Sequence, residues 1–130
     1  MEARSAPKVL VVDDEQGILR STCALLHALG YLAVPCADAG SIRAAIERER
    51  PDLVLQDVRM PGLDLESLVL DVRRDARFRA LPFVVFTASM DVDGIVERVQ
   101  ASGLLDKPFS PQELRAAIDA ALGRAPAATA

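Results

Sequence analysis

Two kinds of segment alternate along this chain. Short apolar runs rich in β-branched residues stop abruptly at polar ones, as strands buried on both faces do. Longer segments carry apolar residues at three-to-four spacing, the mark of helices packed on one side. Lys8–Val12 is a run of the first kind and halts at Asp13-Asp14-Glu15. From Glu15 to Leu29, the residues Ile18, Leu19, Leu25, Leu26 and Leu29 keep helical spacing, and Gly30 stands where a C-terminal cap belongs. Tyr31–Val34 predicts a second strand, Ala39–Arg48 a second helix closed by Pro51, and Asp52–Asp57 a third strand. After the turn residues Met60-Pro61-Gly62, a third helix is marked by Leu65, Leu68, Val69 and Val72. Pro82–Thr87 predicts the fourth strand, Val92–Gln100 the fourth helix despite Gly94, and Leu104–Asp106 a minimal fifth strand. The last helix opens on Ser110, Pro111 and Glu113, a capping box with proline in the first turn, and runs to about Leu122 before Gly123.

Five strands alternating with five helices predict an α/β domain: a (βα)5 doubly wound parallel sheet covered on both faces. In the flavodoxin-like strand order 2-1-3-4-5, strands one and three are neighbours at the switch point, outside whose carboxyl ends ligands bind. The conspicuous polar residues obey that rule. Asp13 and Asp14 end strand one, Asp57 ends strand three, Thr87 ends strand four and Lys107 follows strand five. Three crowded carboxylates repel one another unless a hard divalent cation neutralises them, and Mg²⁺ suits such an oxygen-rich set. A carboxylate is a competent nucleophile for a transient aspartyl phosphate. Lys107 as a point charge and Thr87 as a hydroxyl donor would hold the transferring group. Taken singly, each of these residues has an ordinary explanation, such as loop solvation or charge at a helix N-terminus. Five of them converging on one sheet edge is a site.

Length, composition and charge narrow the choice of partners. The 130 residues suffice for one domain with one core, expected over 8–122, with 1–7 a flexible N-terminus and 123–130 a flexible tail or the start of a linker. A net charge of -4 removes the long-range field that would attract nucleic acid, so direct DNA or RNA binding is not expected. Arg73, Arg74, Arg77 and Arg79 are interrupted by Asp71 and Asp75 and read as a solvated helix end. The apolar run at Val9–Val12 is too brief for an export signal or a membrane span. Cys23 and Cys36 lack the spacing of a metal or redox pair and are expected to be reduced, in a cytoplasmic protein. His27, the single histidine, reads as an ordinary, partly exposed side chain.

The motifs Val11-Val12-Asp13-Asp14-Glu15, Asp52 through Gly62, Thr87-Ala88 and Lys107-Pro108-Phe109 together resemble the response-regulator receiver domain of two-component signalling. In this order and spacing the set is highly specific. The resemblance implies that Asp57 accepts a phosphoryl group from a sensor histidine kinase or a histidine phosphotransfer protein. It implies that Asp13, Asp14, Asp57 and the main-chain carbonyl of Arg59 hold Mg²⁺, that Thr87 and Lys107 report the phosphoryl group to a protein-interaction surface, and that Lys107-Pro108 is cis. Such a domain catalyses its own phosphorylation and dephosphorylation and is not otherwise an enzyme. It acts on a downstream protein or on an output domain of the same polypeptide.

This chain departs from the family pattern at two places that bear on output. Leu104 stands where the family usually has an aromatic residue, and the stretch between Thr87 and Lys107 is a residue or two short. An altered output route is implied, and no family dimer is carried over. Gln56, beside the phosphoacceptor, points to the opposite face and needs a hydrogen-bond partner in the helix layer. Two other functions compete. A phosphohydrolase using an aspartyl phosphate wants a second aspartate where Arg59 stands. A phosphorylation-independent interaction module would have no need of the acids, the threonine and the lysine.

Overall fold

The computed structural model describes residues 6–87 and 101–123. Strands β1 (Lys8–Val12), β2 (Leu32–Cys36), β3 (Leu53–Asp57), β4 (Phe83–Thr87) and β5 (Gly103–Asp106) form one parallel sheet in the order β2-β1-β3-β4-β5. Helices α1 (Gln16–Ala28), α2 (Ile42–Glu49), α3 (Leu65–Arg74) and α4 (Pro111–Ala121) cover it. The helix expected over 92–100 lies outside the described residues, as do 1–5 of the N-terminal segment and 124–130 of the tail.

The alternation of side chains along each strand divides the core in two. Leu10, Val12, Val54, Phe83 and Val85 pack with Ile42, Ile46, Val69 and Val72 on the side of α2 and α3. Val9, Val11, Leu53, Leu55, Val84 and Phe86 pack with Leu19, Leu26, Leu114 and Ile118 on the side of α1 and α4. Every residue of β3 is buried, as expected of the central strand of a doubly covered sheet. Burying each such aliphatic or aromatic side chain contributes about 1.5–3 kcal/mol.

Local chemistry sets the boundaries. Gly30, with φ 98°, follows α1 in the left-handed conformation that terminates helices. The Asp64 carboxylate accepts from the Ser67 N–H and starts α3. Ser110 and Glu113 form the reciprocal capping box at α4.

The bounds of two elements and the reading of one surface are corrected. The second helix does not begin at Ala39: a 3₁₀ turn over Ala39–Ser41 precedes α2, and Arg50, at φ 49°, closes the helix in the left-handed region ahead of Pro51. The residue before a proline avoids the α region, so the helix ends there. The second strand starts at Leu32 and continues through Pro35 to Cys36. Proline is tolerated because β2 is an edge strand, where its missing N–H faces away from β1. On that same free edge the Ala33 N–H donates to His27 Nε2 at 3.2 Å, so His27 is exposed yet engaged. The arginines after α3 are not simply a solvated helix end either. Arg73 donates to the carbonyls of Arg79 and Leu81 and lies over the Phe83 ring at 5.6 Å, while Arg77 pairs with Asp75 at 2.6 Å.

Candidate functional site

The strand register carries the acids to one place. Val12 pairs with Gln56 across β1 and β3, so Asp13 follows one strand beside Asp57 ending the other. Thr87 and Asp106 end β4 and β5 in register, and Lys107 is the next residue. Asp13 and Asp57 are buried, at 1% and 5% exposure, whereas Asp14 is exposed. One oxygen from each of these three carboxylates lies within 4.8 Å of the others.

Asp13 is tied on both oxygens. Oδ1 accepts from the Glu15 N–H at 3.0 Å, and Oδ2 accepts from Lys107 Nζ at 3.0 Å. The Glu15 contact turns the chain from β1 into α1 through the carboxylate itself, the usual use of an aspartate in a turn. Asp57 Oδ1 lies 3.7 Å from Lys107 Nζ and accepts, at 3.4 Å, from the Arg59 N–H. The Lys107 ammonium therefore sits between two carboxylates, and below it the Phe86 ring lies 4.6 Å away. Phe109 meets Phe86 edge to face at 6.1 Å, completing an apolar floor that keeps the ammonium at the acids. The Lys107-Pro108 peptide is cis.

The electrostatics are unbalanced. Burial pushes the Asp57 carboxyl up to about 6, with Lys107 pulling it down and the neighbouring charges of Asp13 and Asp14 pushing it further up. Among the described residues three carboxylates face one ammonium, and their donors are all hard oxygens. That donor set fits a divalent cation such as Mg²⁺, which would remove both the repulsion and the desolvation penalty.

The loop after β3 is shaped by Met60-Pro61-Gly62-Leu63. Leu63 N–H bonds the Met60 carbonyl, Pro61 occupies the second position, and Gly62 takes φ 77°, the geometry of a type II turn. Met60 is buried beneath it, while Arg59 is exposed.

Of the residues selected from sequence, Asp13, Asp14, Asp57 and Lys107 are brought together, and Arg59 lies on the same loop as Asp57. Thr87 ends β4 on the same edge, and its side chain lies outside the description. Leu104 is on β5 and 39% exposed. Sequence reasoning missed the Phe86 and Phe109 floor. The available signal was alternation, which puts Phe86 on the face opposite that of Val85, the face Asp57 also takes. It also misplaced the partner of Gln56, whose amide Nε2 donates to the Asp57 main-chain carbonyl at 3.0 Å and not to the helix layer.

Comparison with known proteins gives a consistent result. The family model for the response regulator receiver domain matches residues 9–119. A probable transcriptional regulator ycf27 of Guillardia theta is 33% identical over 126 residues, covering 95% of this chain and 48% of the relative. The phosphate regulon transcriptional regulatory protein PhoB of Escherichia coli is 32% identical over 121 residues, covering 92% of this chain and 53% of PhoB. The chain thus spans about half the length of the curated relatives it matches. Among solved structures, a putative response regulator from Chloroflexus aurantiacus superposes with a TM-score of 0.82 at 29% identity, covering 92% of this chain and 99% of its own. The receiver domain of sensor histidine kinase PA1611 from Pseudomonas aeruginosa, solved with magnesium coordinated in its active-site cleft, superposes at 0.80 with 28% identity, covering 91% and 98%.

Proposed function

The chain belongs to the response regulator receiver domain family of two-component systems, and from that premise we propose that it is a phosphorylation-activated switch with Asp57 as the phosphoacceptor. The observation that supports this most directly is the convergence of the Asp13, Asp14 and Asp57 oxygens within 4.8 Å, with Lys107 Nζ 3.0 Å from one of these acids and 3.7 Å from another. The donor is a phosphohistidine of a sensor kinase or a phosphotransfer protein. An Asp57 carboxylate oxygen forms the new bond to phosphorus as the phosphorus–nitrogen bond to the imidazole breaks, and the departing ring takes a proton from solvent.

Each residue has a task in that transfer. Asp13 and Asp14, with Asp57 and the Arg59 carbonyl, would hold Mg²⁺, which supplies the positive charge that lets anionic groups approach one another. Lys107 holds one phosphoryl oxygen as a point charge, released from part of its duty to Asp57 once that carboxylate is esterified. The Thr87 hydroxyl donates to a second oxygen and carries the change toward β5. Asp57 has to be ionised to attack, and with its carboxyl near 6 it is mostly ionised at neutral pH. Arg59 stands where an aspartyl-phosphate hydrolase would want its acid–base aspartate, which favours a signalling role over substrate turnover.

The receiver comprises residues 8–122, with 123–130 a tail or the beginning of a linker, and works in the cytoplasm. Its output goes to a protein target or to an output domain of the same polypeptide, through a surface modified at Leu104. No helix among the described residues is long and apolar enough to cross a membrane. The test is intact-mass analysis after incubation with Mg²⁺ and acetyl phosphate. The native chain is expected to gain one phosphoryl group, and both Asp57→Asn and the native chain in EDTA none. A native chain that stays unmodified would overturn the proposal in favour of a phosphorylation-independent interaction module.

A further inference from the structure

Gln56 is a buried polar residue to which the proposed chemistry gives no task. It is 0% exposed, and on β3 it lies in register between Val12 of β1 and Val85 of β4. Its side chain takes the α2–α3 side of the sheet, opposite the Asp57 carboxylate. Nε2 donates to the Asp57 main-chain carbonyl at 3.0 Å and touches the Met60 sulfur at 3.8 Å. Oε1 is buried and has no hydrogen-bond donor among the described residues. The orientation of the amide is fixed by its chemistry, because reversing it would set two oxygens against each other.

An unmet buried acceptor is costly, and an aliphatic side chain of the same size would carry no such penalty. What the amide supplies is the bond to Asp57. That carbonyl belongs to the last residue of β3, where the ladder ends, and the bond fixes the peptide plane leading into Val58. The chain then passes Arg59 and returns to Gln56 at Met60. Gln56 therefore contacts both ends of the four-residue segment 57–60, the segment that presents the Asp57 carboxylate and the Arg59 carbonyl.

We infer that Gln56 is a positioning residue: it clamps the 57–60 segment from the opposite face of the sheet and so sets the geometry with which Asp57 and Arg59 meet the divalent cation. This rests on the proposed role of Asp57. It gives Gln56 an effect on metal affinity that its burial alone would not have. Outer groups that orient metal ligands characteristically change affinity by about ten- to a hundredfold when lost. Gln56 should stand at the lower end of that range, since it acts through the backbone.

The experiment measures the Mg²⁺ dissociation constant by calorimetric titration, together with the initial rate of phosphorylation by acetyl phosphate. It compares the native chain, Gln56→Leu and Gln56→Met. Both substitutions remove the donor and the orphaned acceptor together, and Met keeps the length of the side chain should Leu pack poorly. The expected result is a dissociation constant raised about tenfold and a matching fall in rate at limiting Mg²⁺, with melting temperatures in EDTA no lower than the native one. Val54→Ala, on the same strand and face, should melt lower and keep the native affinity for Mg²⁺. Variants that fold and bind Mg²⁺ within about twofold of a Mg²⁺-binding native chain would overturn the inference. A native chain that neither binds Mg²⁺ nor gains a phosphoryl group would instead overturn the reading of Asp57, and this inference with it.

Discussion

Two groups of three carboxylates stand out among the described residues, and their treatment could hardly differ more. Asp13, Asp14 and Asp57 crowd at the carboxyl edge of the sheet with the Lys107 ammonium, and two of the three are buried. Glu47, Asp71 and Asp75 lie on the outer surface of α2, α3 and the turn that follows. Two guanidiniums serve them: Arg43 reaches all three, and Arg77 reaches Glu47 and Asp75. Burial holds the Asp57 carboxyl up near 6, whereas the hydrogen bonds from Arg77 and Arg43 hold that of Asp75 well below the ordinary carboxylate range. In one cluster every carboxylate pairs with a guanidinium. Among the described residues the other has one ammonium for three carboxylates, and that surplus of negative charge is what fits it, in the proposed function, to a cation and a phosphoryl group. Acid count alone does not distinguish a site from a fastening; the balance of charge and the access to water do.

The largest test of this contrast is removal of the central acid. Asp57→Asn is expected to abolish phosphorylation and, in EDTA at pH 7.5, to make the protein more stable. The sign follows from linkage. The carboxyl titrates near 6 in the folded chain and near 3.9 when unfolded, so between these values the folded state binds more protons. Stability contributed by the protonated group is complete below about pH 4 and is lost as pH rises through 6. The variant escapes that loss and should exceed the native chain by about 1–3 kcal/mol at pH 7.5, with the difference vanishing at pH 4. Saturating Mg²⁺ should shrink it as well, because the cation stabilises only the chain with the carboxylate. Urea unfolding at a series of pH values checks this, and a variant less stable than the native chain at pH 7.5 would show the inner cluster to be balanced after all.

The outer cluster should answer with the opposite sign and more weakly. Asp75→Asn keeps an oxygen for the Arg77 N–H, which caps the 3₁₀ turn over Ala76–Phe78, but removes the charge that Arg43 and Arg77 address. A carboxyl held below its unfolded value contributes stability that is present above about pH 4 and is lost as pH falls further. The variant should therefore melt a few degrees lower at pH 7, with the gap closing only below pH 4. Thermal unfolding followed by circular dichroism reads both the sign and the window. A gap that closes between pH 4 and 6 would place the relevant titration elsewhere.

The difference between the clusters was only half legible in the sequence. Strand ends are read easily, because an apolar run that stops at an acid marks both the strand and the edge at which the acid emerges. Asp13, Asp14, Asp57 and Lys107 were found in that way, and the capping box at Ser110 by its spacing. Which carboxylates are neutralised depends on contacts between residues distant in the chain. Arg43 meets Asp71 and Asp75 about thirty positions away, across two helices, and no periodicity encodes that. Arg73 and Arg77 looked like a solvated helix end although their partners at Arg79, Leu81 and Asp75 are near in sequence, because the reach of a side chain is not encoded in periodicity either. Local backbone chemistry misled in smaller ways. Leu32–Val34 is the apolar part of a strand that extends past Pro35 because it lies on an edge, and edge position is a property of the whole sheet. Gln56 was recognised as out of place, but its partner proved to be its neighbour's carbonyl, a bond that a one-residue offset makes easy and a hydropathy pattern does not show.

Asp71 supplies the finest comparison. It sits in the same outer cluster as Asp75 but is more exposed, with its side chain 58% accessible against 19%, and of the two guanidiniums it meets only Arg43, at 3.1 Å. An ion pair so open to water gains little from Coulomb attraction and loses side-chain entropy, so such pairs contribute about 0–1 kcal/mol. Arg43 has Asp75 and Glu47 to turn to when Asp71 is neutralised. Asp71→Asn should thus shift stability by about 0.5 kcal/mol or less, and the shift should shrink in 1 M salt, where exposed charges are screened within about 3 Å. Measured beside Asp75→Asn and the double variant by urea unfolding, it ranks the acids of one cluster by exposure. A loss at Asp71 equal to that at Asp75, and unmoved by salt, would mean that Arg43 needs all its acids at once. The outer cluster would then be a single rigid fastening, not a set of separable pairs.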